Sequence, residues 1–419
     1  MKTAYTKKKS YSDFKSNKKY NFFRFLLFDI NIPIFSYFVI KNRKKYMRAI
    51  IRGRKRLSKN KIESMNLMIH SLEEKNMFSS DVKFSPVIFG DCVDQAHSMI
   101  KSWLVTRTIY FSQPSFVKSL LYYTGKNSSE ISCTLPKELR SVVEEYGFQV
   151  NHVKSQFYWI LFILAMYFYG IAYIARNFFR SVLNILKPKM SNIGKYIYFY
   201  SIGPLSLPKY KVEEKNHDII SWYNKRFSSS KDYDTLAHSV DNVKAINSGT
   251  KKIIYLPSPF PLLKDFNKLI QYLFWGVCAS FLALFDIFRG RWWHAFMLSE
   301  ASNLRIVKLN KPDSLAREYL FHNSSFIYRP MWTYQAEYYG SQIIFYFYSL
   351  NFTNINIEPR DENNQQQPIP LFFRSSSWPH YFVWSKSHEV FMRYCNINTP
   401  STEITGPIPW TNSALDLPD

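Results

Sequence analysis

Residues 329–351 read RPMWTYQAEYYGSQIIFYFYSLN. The first half, MWTYQAEYYG, predicts a helix closed by Gly340, because glycine most readily takes the left-handed conformation just beyond a helix end. The second half, SQIIFYFYSLN, is rich in β-branched and aromatic residues and predicts a strand. The same rhythm extends upstream. KYIYFYSI (195–202) predicts a strand, HDIISWYNKRF (217–227) a helix, and KKIIYLPSPFP (251–261) a second strand that stops at prolines. SSFIYRP (324–330) reads as a strand end. Downstream, WPHYFVWSKSHEVFMRYCN (378–396) reads strand to helix, and STEITGPIPW (401–410) reads strand to Gly-Pro turn. Alternating strands and helices predict an α/β fold with a parallel, Rossmann-type sheet.

Two uncharged runs interrupt this rhythm. Phe157–Ala175 has 19 residues, preceded by Lys154 and followed by Arg176 and Arg180. Leu269–Phe285 has 17, followed by Asp286, Arg289, Arg291 and the pair Trp292 and Trp293. Runs of this length suit a bilayer, and tryptophan beside arginine is an interface signature. Cations on both flanks of each run favour one side of the membrane for both ends. The second run also falls between strands expected in a single sheet, and strands cannot hydrogen-bond across a bilayer. Leu269–Phe285 is therefore expected to dip into one leaflet as a monotopic helix. Phe157–Ala175 precedes the α/β unit, so a full crossing there splits no sheet. A buried core helix is the alternative for both.

The net charge is +24, and residues 1–61 alone contribute +17, with 19 Lys and Arg against Asp13 and Asp29. Such a block marks an interaction tail for nucleic acid or anionic lipid. Its centre, residues 21–40, mixes aromatics with Arg24, Asp29 and Pro33, which suits an interfacial anchor better than a transmembrane helix. No nucleic-acid recognition module accompanies it, so no specific nucleic acid is expected. Hydrophobic residues make up 46% of the chain, which excludes disorder of the bulk. Four cysteines without a CxxC pair predict neither a zinc site nor a disulfide framework. LPKELRSVVEEYGFQV (135–150) predicts an amphipathic helix between Pro136 and Gly147. The expected organisation is a membrane-surface arm over 1–61, a mixed globular region over 62–153 and a hydrophobic helix over 154–190. A Rossmann-like domain follows over 191–360, with the inserted helix at 266–293. A polar linker and the start of a second Rossmann-like domain occupy 361–419.

Residues 329–351, with WPHYFVWSKSHEVFMRYCN and EITGPIPW, resemble a family of bacterial surface-carbohydrate (O-antigen or polysaccharide) biosynthesis proteins of GT-B glycosyltransferase type. The shared elements are Val383 and Trp384 before a helix, then Gly406, Pro407, Ile408 and Trp410 in a turn, with Pro409 interposed. The resemblance spans about residues 195–410 and is most specific in its last third. It implies transfer of a sugar from a nucleotide sugar to a lipid-linked saccharide acceptor at the cytoplasmic face of the inner membrane. An anionic membrane surface is the second implied partner, and no cofactor or metal is implied. In GT-B proteins a second Rossmann-like domain holds the donor. The chain ends nine residues past Trp410, so by this resemblance that domain is incomplete. There is no Walker loop or GxGxxG, and a metal-dependent GT-A site is not expected. A non-catalytic membrane-associated assembly or scaffold protein of the polysaccharide machinery is the alternative.

Ligands of α/β proteins bind beyond the carboxyl ends of parallel strands, which selects the candidate residues. Glu337 and His388 are candidate catalytic groups, His388 as a base. Arg329 is a candidate for a lipid-linked phosphate. Tyr348, Ser349 and Asn351 stand where the strand 343–348 ends, and Trp384 and Gly406 complete the substrate set. Each also has a plainer reading. Glu337 and His388 fit solvated helix positions, Arg329 fits a local ion pair, and Trp332, Trp384 and Trp410 fit core positions.

Overall fold

The computed structural model describes residues 43–79, 81–110, 116–186, 194–203, 206–207, 219–240, 246–248, 251–322, 328–347, 378–395 and 400–407. The elements are α1 (Arg43–Arg56), α2 (Lys59–Glu74), α3 (Pro86–Phe89), α4 (Ala96–Leu104), α5 (Phe116–Gly125), β1 (Glu130–Ile131), α6 (Lys137–Glu145), β2 (Gln149–Val150) and α7 (His152–Ile185). They continue with β3 (Tyr196–Phe199), α8 (Ile219–Phe227), β4 (Thr235–His238), β5 (Ile246–Ser248), β6 (Lys251–Tyr255), α9 (Phe266–Phe288) and α10 (Trp293–Leu309). The last are β7 (Glu318–His322), α11 (Met331–Tyr338), β8 (Gln342–Tyr346), β9 (His380–Val383), α12 (Lys386–Cys395) and β10 (Ser401–Ile404). The chain divides into two compact units, one of residues 1–79 and 104–170, the other of 80–103 and 171–419.

Among the described residues, the first unit is helical apart from the parallel pair β1–β2. Its α1 belongs to the stretch expected to be a surface arm, yet it packs closely against α5. A Cβ added at Gly53 would lie 1.8 Å from the Leu121 carbonyl oxygen, and one at Gly125 would lie 1.9 Å from that of Ala49. Only glycine permits backbones this close. Arg56 then donates to the Thr124 and Gly125 carbonyls, cations being favoured at a helix C-terminus. The apolar patch at 21–40 lies outside the described residues. The expected helix after Pro136 is α6, with Leu139, Val142 and Val143 buried on one face.

The second unit is built on an eight-stranded sheet in the order β10-β9-β8-β7-β3-β4-β6-β5. Seven strands are parallel, and β5 pairs antiparallel with β6. Counted from β3, the chain winds outward through β4 to β6, returns, and winds the other way through β7, β8, β9 and β10. This is the doubly wound dinucleotide-fold order, extended by β10 at one edge and by the antiparallel β5 at the other. Strands β3, β4 and β7 are buried along their whole length, as expected where helices cover both faces. Alternate residues form two cores. Ile197, Phe199, Leu236, Leu320, Ile344 and Phe382 meet α8 through Ile220 and Tyr223. The opposite face is aromatic: Tyr319 and Phe260 pack on Trp332 at 4.9 and 5.0 Å, and Phe321 and Phe345 on Trp378 at 4.7 and 5.1 Å. Each such large side chain contributes about 1.5–3 kcal/mol on burial.

Most expected elements appear: β3, α8, β6, α11 closed by Gly340 at φ +92, β8, β9 and β10. Two placements differ. The strand before Arg329 is Glu318–His322, upstream of the expected 326–328, and 323–327 lie outside the described residues. Strands β9 and β10, read as the opening of a second Rossmann-like domain after residue 360, instead extend the first sheet. Tyr346 of β8 pairs with Phe382 of β9, and Val383 pairs with Ile404 of β10. The polar stretch after β8 gives sequence a domain-boundary look, but hydrogen bonding continues from β8 to β9.

Candidate functional site

The sheet's winding reverses between β3 and β7, and a doubly wound sheet opens a ligand crevice outside the carboxyl ends of the strands at that point. There β3 continues into Tyr200 and Ser201, the latter at φ +57. His322, the last residue of β7, donates from Nε2 to the Ser201 carbonyl at 3.1 Å. On the other side of β3, His238 ends β4 and its Nδ1 accepts from the Val240 amide at 3.2 Å. Gly203 follows with open space where a Cβ would sit. Burial lowers the pKa of both histidines, partly offset at His322 by the Ser201 carbonyl. Two neutral imidazoles therefore flank the central strand at pH 7; the basic nitrogen of His322 is Nδ1, whereas that of His238 is the Nδ1 already bonded to the Val240 amide. The sequence reading missed both. The rule that strand ends carry ligand contacts selects them once β4 and β7 are correctly placed.

Of the residues expected from sequence, Arg329 and Glu337 bind each other. Arg329 is buried, donates from Nε to Thr333 Oγ1 at 3.0 Å, and lies over the Tyr334 ring at 3.8 Å. The start of α11, an obvious place for a phosphate, already holds a carboxylate. Glu300 Oε2 accepts from the Met331 amide at 3.0 Å, and Oε1 from the Tyr328 hydroxyl at 3.1 Å. Trp384 donates from its indole to the Phe347 carbonyl at 2.6 Å and from its backbone to His388 Nδ1 at 3.2 Å. His388 is 1% exposed, packs edge-on to Phe347 at 4.5 Å, and burial pushes its pKa down to about 4. Trp384 and His388 thus tie the end of β8 to the start of α12. Gly406 follows β10 at φ +75. Tyr348, Ser349 and Asn351 lie outside the described residues, as do Ile408 and Trp410.

An acidic triplet of the DxD kind is in fact present, Asp232-Tyr233-Asp234. It sits at the amino end of β4, the edge opposite the crevice. Asp232 pairs with Lys195, and Asp234 accepts from the Lys195 amide at 3.2 Å. Both carboxylates brace the start of β3. No group of three or more metal-ligating side chains occurs among the described residues.

The connection that carries the chain from β6 to β7, across the reversal, is α9 followed by α10. One face of α9 is packed. Tyr272 shares a hydrogen bond with Ser302 at 2.6 Å, Trp275 donates to the Val87 carbonyl at 2.7 Å, and a Cβ on Gly276 would meet Ile174 of α7 at 2.7 Å. The opposite face exposes an apolar stripe that includes Phe266, Ile270, Phe274, Phe281, Phe285 and Phe288. A similar stripe runs along α7 through Phe157, Ile160, Phe168, Phe179 and Leu183. Both helices are long and apolar enough to cross a membrane. At the end of α9, Asp286 accepts from His294 Nδ1 at 2.6 Å, while His294 Nε2 accepts from the Ser85 amide at 3.1 Å. This buried relay fastens the 80–103 segment to the α9–α10 hairpin.

Residues 275–419 match the model of the polysaccharide biosynthesis PFTS motif protein family. The matched segment begins within α9 and takes in α10, β7, β8, β9 and β10, which supports a protein of polysaccharide biosynthesis. The comparisons with curated proteins and with solved structures give no match.

Proposed function

We propose that this protein is a membrane-associated, GT-B-like glycosyltransferase of bacterial surface polysaccharide (O-antigen or capsule) biosynthesis, moving a sugar from a nucleotide sugar to a lipid-linked acceptor. One observation carries the reading. The chain segment that makes the crossover at the sheet's reversal, where α/β sheets hold ligands, is also the one that presents an uncovered apolar stripe. A soluble acceptor needs no such arrangement. An acceptor anchored in lipid does, because its reacting hydroxyl stays close to the bilayer surface.

α9 favours lying in one leaflet over crossing. Strands β6 and β7 flank the α9–α10 hairpin and belong to one sheet. Midway along α9, Trp275 binds the carbonyl of Val87 in a segment that also carries Asp91 and Lys83. Irregular polar backbone of that kind does not face hydrocarbon. Attachment at the cytoplasmic face fits the supply of nucleotide sugars and the cations beside both runs. At the crevice, neutral His322 is suited to take the acceptor hydroxyl proton, a role worth about 10²–10⁴ in rate.

The test is transfer of label from nucleotide sugars into the organic phase, using full-length protein and vesicles containing a phosphorylated polyisoprenoid acceptor. Transfer that drops at least tenfold in His322→Gln supports the reading. Failure of every donor both to bind in calorimetry and to transfer contradicts it and favours a non-catalytic scaffold.

A further inference from the structure

Within the second unit, the C-terminal end of α7 meets the loop that leads into α9. Asn184 donates to the Leu262 and Leu263 carbonyls at 3.4 and 3.5 Å. The same loop is held by two other elements: Tyr198 of β3 donates to the Leu256 carbonyl at 3.0 Å, and Asn310 to that of Pro261 at 2.8 Å. Pro257, Pro259 and Pro261 fix its backbone further. The loop is thus a rigid wall, and it encloses a cavity of about 360 Å³, within the range of ligand sites.

The chemistry of the lining is mixed in a particular way. Tyr196, Pro257, Phe260, Pro261 and Leu262 make it largely apolar, while Arg180 and Lys264 bring two cations against the single acid Asp313. Arg180 is half-buried, and no carboxylate among the described residues pairs with it. It stands one helical turn from Arg176, a like-charge spacing that an anion relieves. Arg180 and Asn184 each directly follow an exposed apolar residue of the α7 stripe, Phe179 and Leu183, and Lys264 stands two residues before Phe266 of the α9 stripe. The cavity therefore lies where both stripes come to an end.

We propose that this cavity binds the phosphate head of a phosphorylated lipid, with Arg180 and Lys264 on the phosphate and the proline-aromatic wall against the first carbons of the chain. Guanidinium and ammonium groups hold phosphate by charge-assisted hydrogen bonds, and the apolar wall discriminates a lipid phosphate from a free one. The proposal deepens the acceptor reading above by giving that acceptor a seat, and it rests on that reading.

Binding is measured without any donor sugar, so its outcome is separate from that of the transfer assay. Full-length protein is titrated with phosphatidylcholine vesicles containing or lacking 10% of a polyisoprenyl phosphate. The expected result is at least tenfold tighter binding to the phosphate-bearing vesicles, lost in Arg180→Gln and in Lys264→Gln but kept in Arg289→Gln at the far end of α9. Binding to plain vesicles stays unchanged in all three, which also reports that the variants fold. An equal loss in Arg289→Gln makes the effect diffuse surface charge and overturns the proposal. Competition by millimolar inorganic pyrophosphate as strong as that by the lipid phosphate overturns the lipid assignment and makes the cavity a soluble-phosphate site.

Discussion

α9 and α10 follow one another in the chain and together connect β6 to β7. α10 carries His294, Glu300, Arg305 and Lys308, yet most of its residues are buried. α9 contains the uncharged 17-residue run, yet its phenylalanines face outward, Phe274 at 72% and Phe288 at 83% exposure. A water-soluble protein distributes these compositions the other way round. α10 affords its polar groups because each of several has a built partner: Asp286 for His294, the start of α11 for Glu300, and Asp91 for Lys308. α9 needs no polar partners on its outer face if that face meets lipid. The contrast identifies which solvent each helix is shaped for.

The strongest way to break the comparison is to place polar groups on each helix. Ala301→Asp buries an unpaired carboxylate at a fully buried position of α10 and is expected to cost about 4 kcal/mol or more, measured by thermal unfolding in detergent. The double substitution Phe274→Ser and Phe281→Ser on α9 is expected to leave that unfolding nearly unchanged. It instead weakens vesicle partitioning by about 100-fold or more, because each phenylalanine loses about 1.5–3 kcal/mol of burial in lipid. Equal effects of the two changes in both assays would erase the distinction between the helices.

The junction between them sharpens it. His294→Ala leaves Asp286 buried without its main partner and is expected to cost about 3 kcal/mol. Arg291→Ala removes an exposed partner 3.8 Å from the same carboxylate and is expected to cost under about 1 kcal/mol. Unfolding in detergent separates the two.

The pH dependence is more gradual. Burial lowers the pKa values of His238, His294, His322, His380 and His388. As pH falls, the unfolded chain takes up these protons first, so stability is full above the ordinary value of 6.5 and declines below it. For His388 the decline runs from 6.5 to about 4, at about 1.4 kcal/mol per pH unit. His388→Gln is expected to flatten the stability profile by that slope.

Much of the sheet was readable because its strands are short, continuous apolar runs bounded by Gly, Pro or polar residues. IIFYFY and YIYFY carry their own signal. β4, Thr-Leu-Ala-His, does not: four residues with one large aliphatic side chain become a strand only because β3 and β6 lie on either side. Missing β4 hid His238, and setting β7 too late hid His322. Arg329 and Glu337 looked available because sequence shows types and spacing but not partners, and here each is the other's partner. The domain break after residue 360 was suggested by polarity, whereas strand pairing from β8 to β9 is a long-range fact that composition does not carry. The α9 stripe was half legible: its apolar run was plain, but which residues face outward depends on how α10, α7 and Val87 cover the other side.

Labelling of single cysteines at Ser258 and Arg289, in a background with Cys92, Cys133, Cys278 and Cys395 all replaced by Ser, tests the account most directly. These positions bracket α9, and a membrane-impermeant maleimide applied to sealed inverted vesicles reads which side each occupies. A helix lying in one leaflet predicts that both label from the same side, and that in a third variant keeping only Cys278, exposed on α9, the thiol is protected by lipid and reactive once detergent is added. Labelling of Ser258→Cys and Arg289→Cys from opposite sides would contradict it.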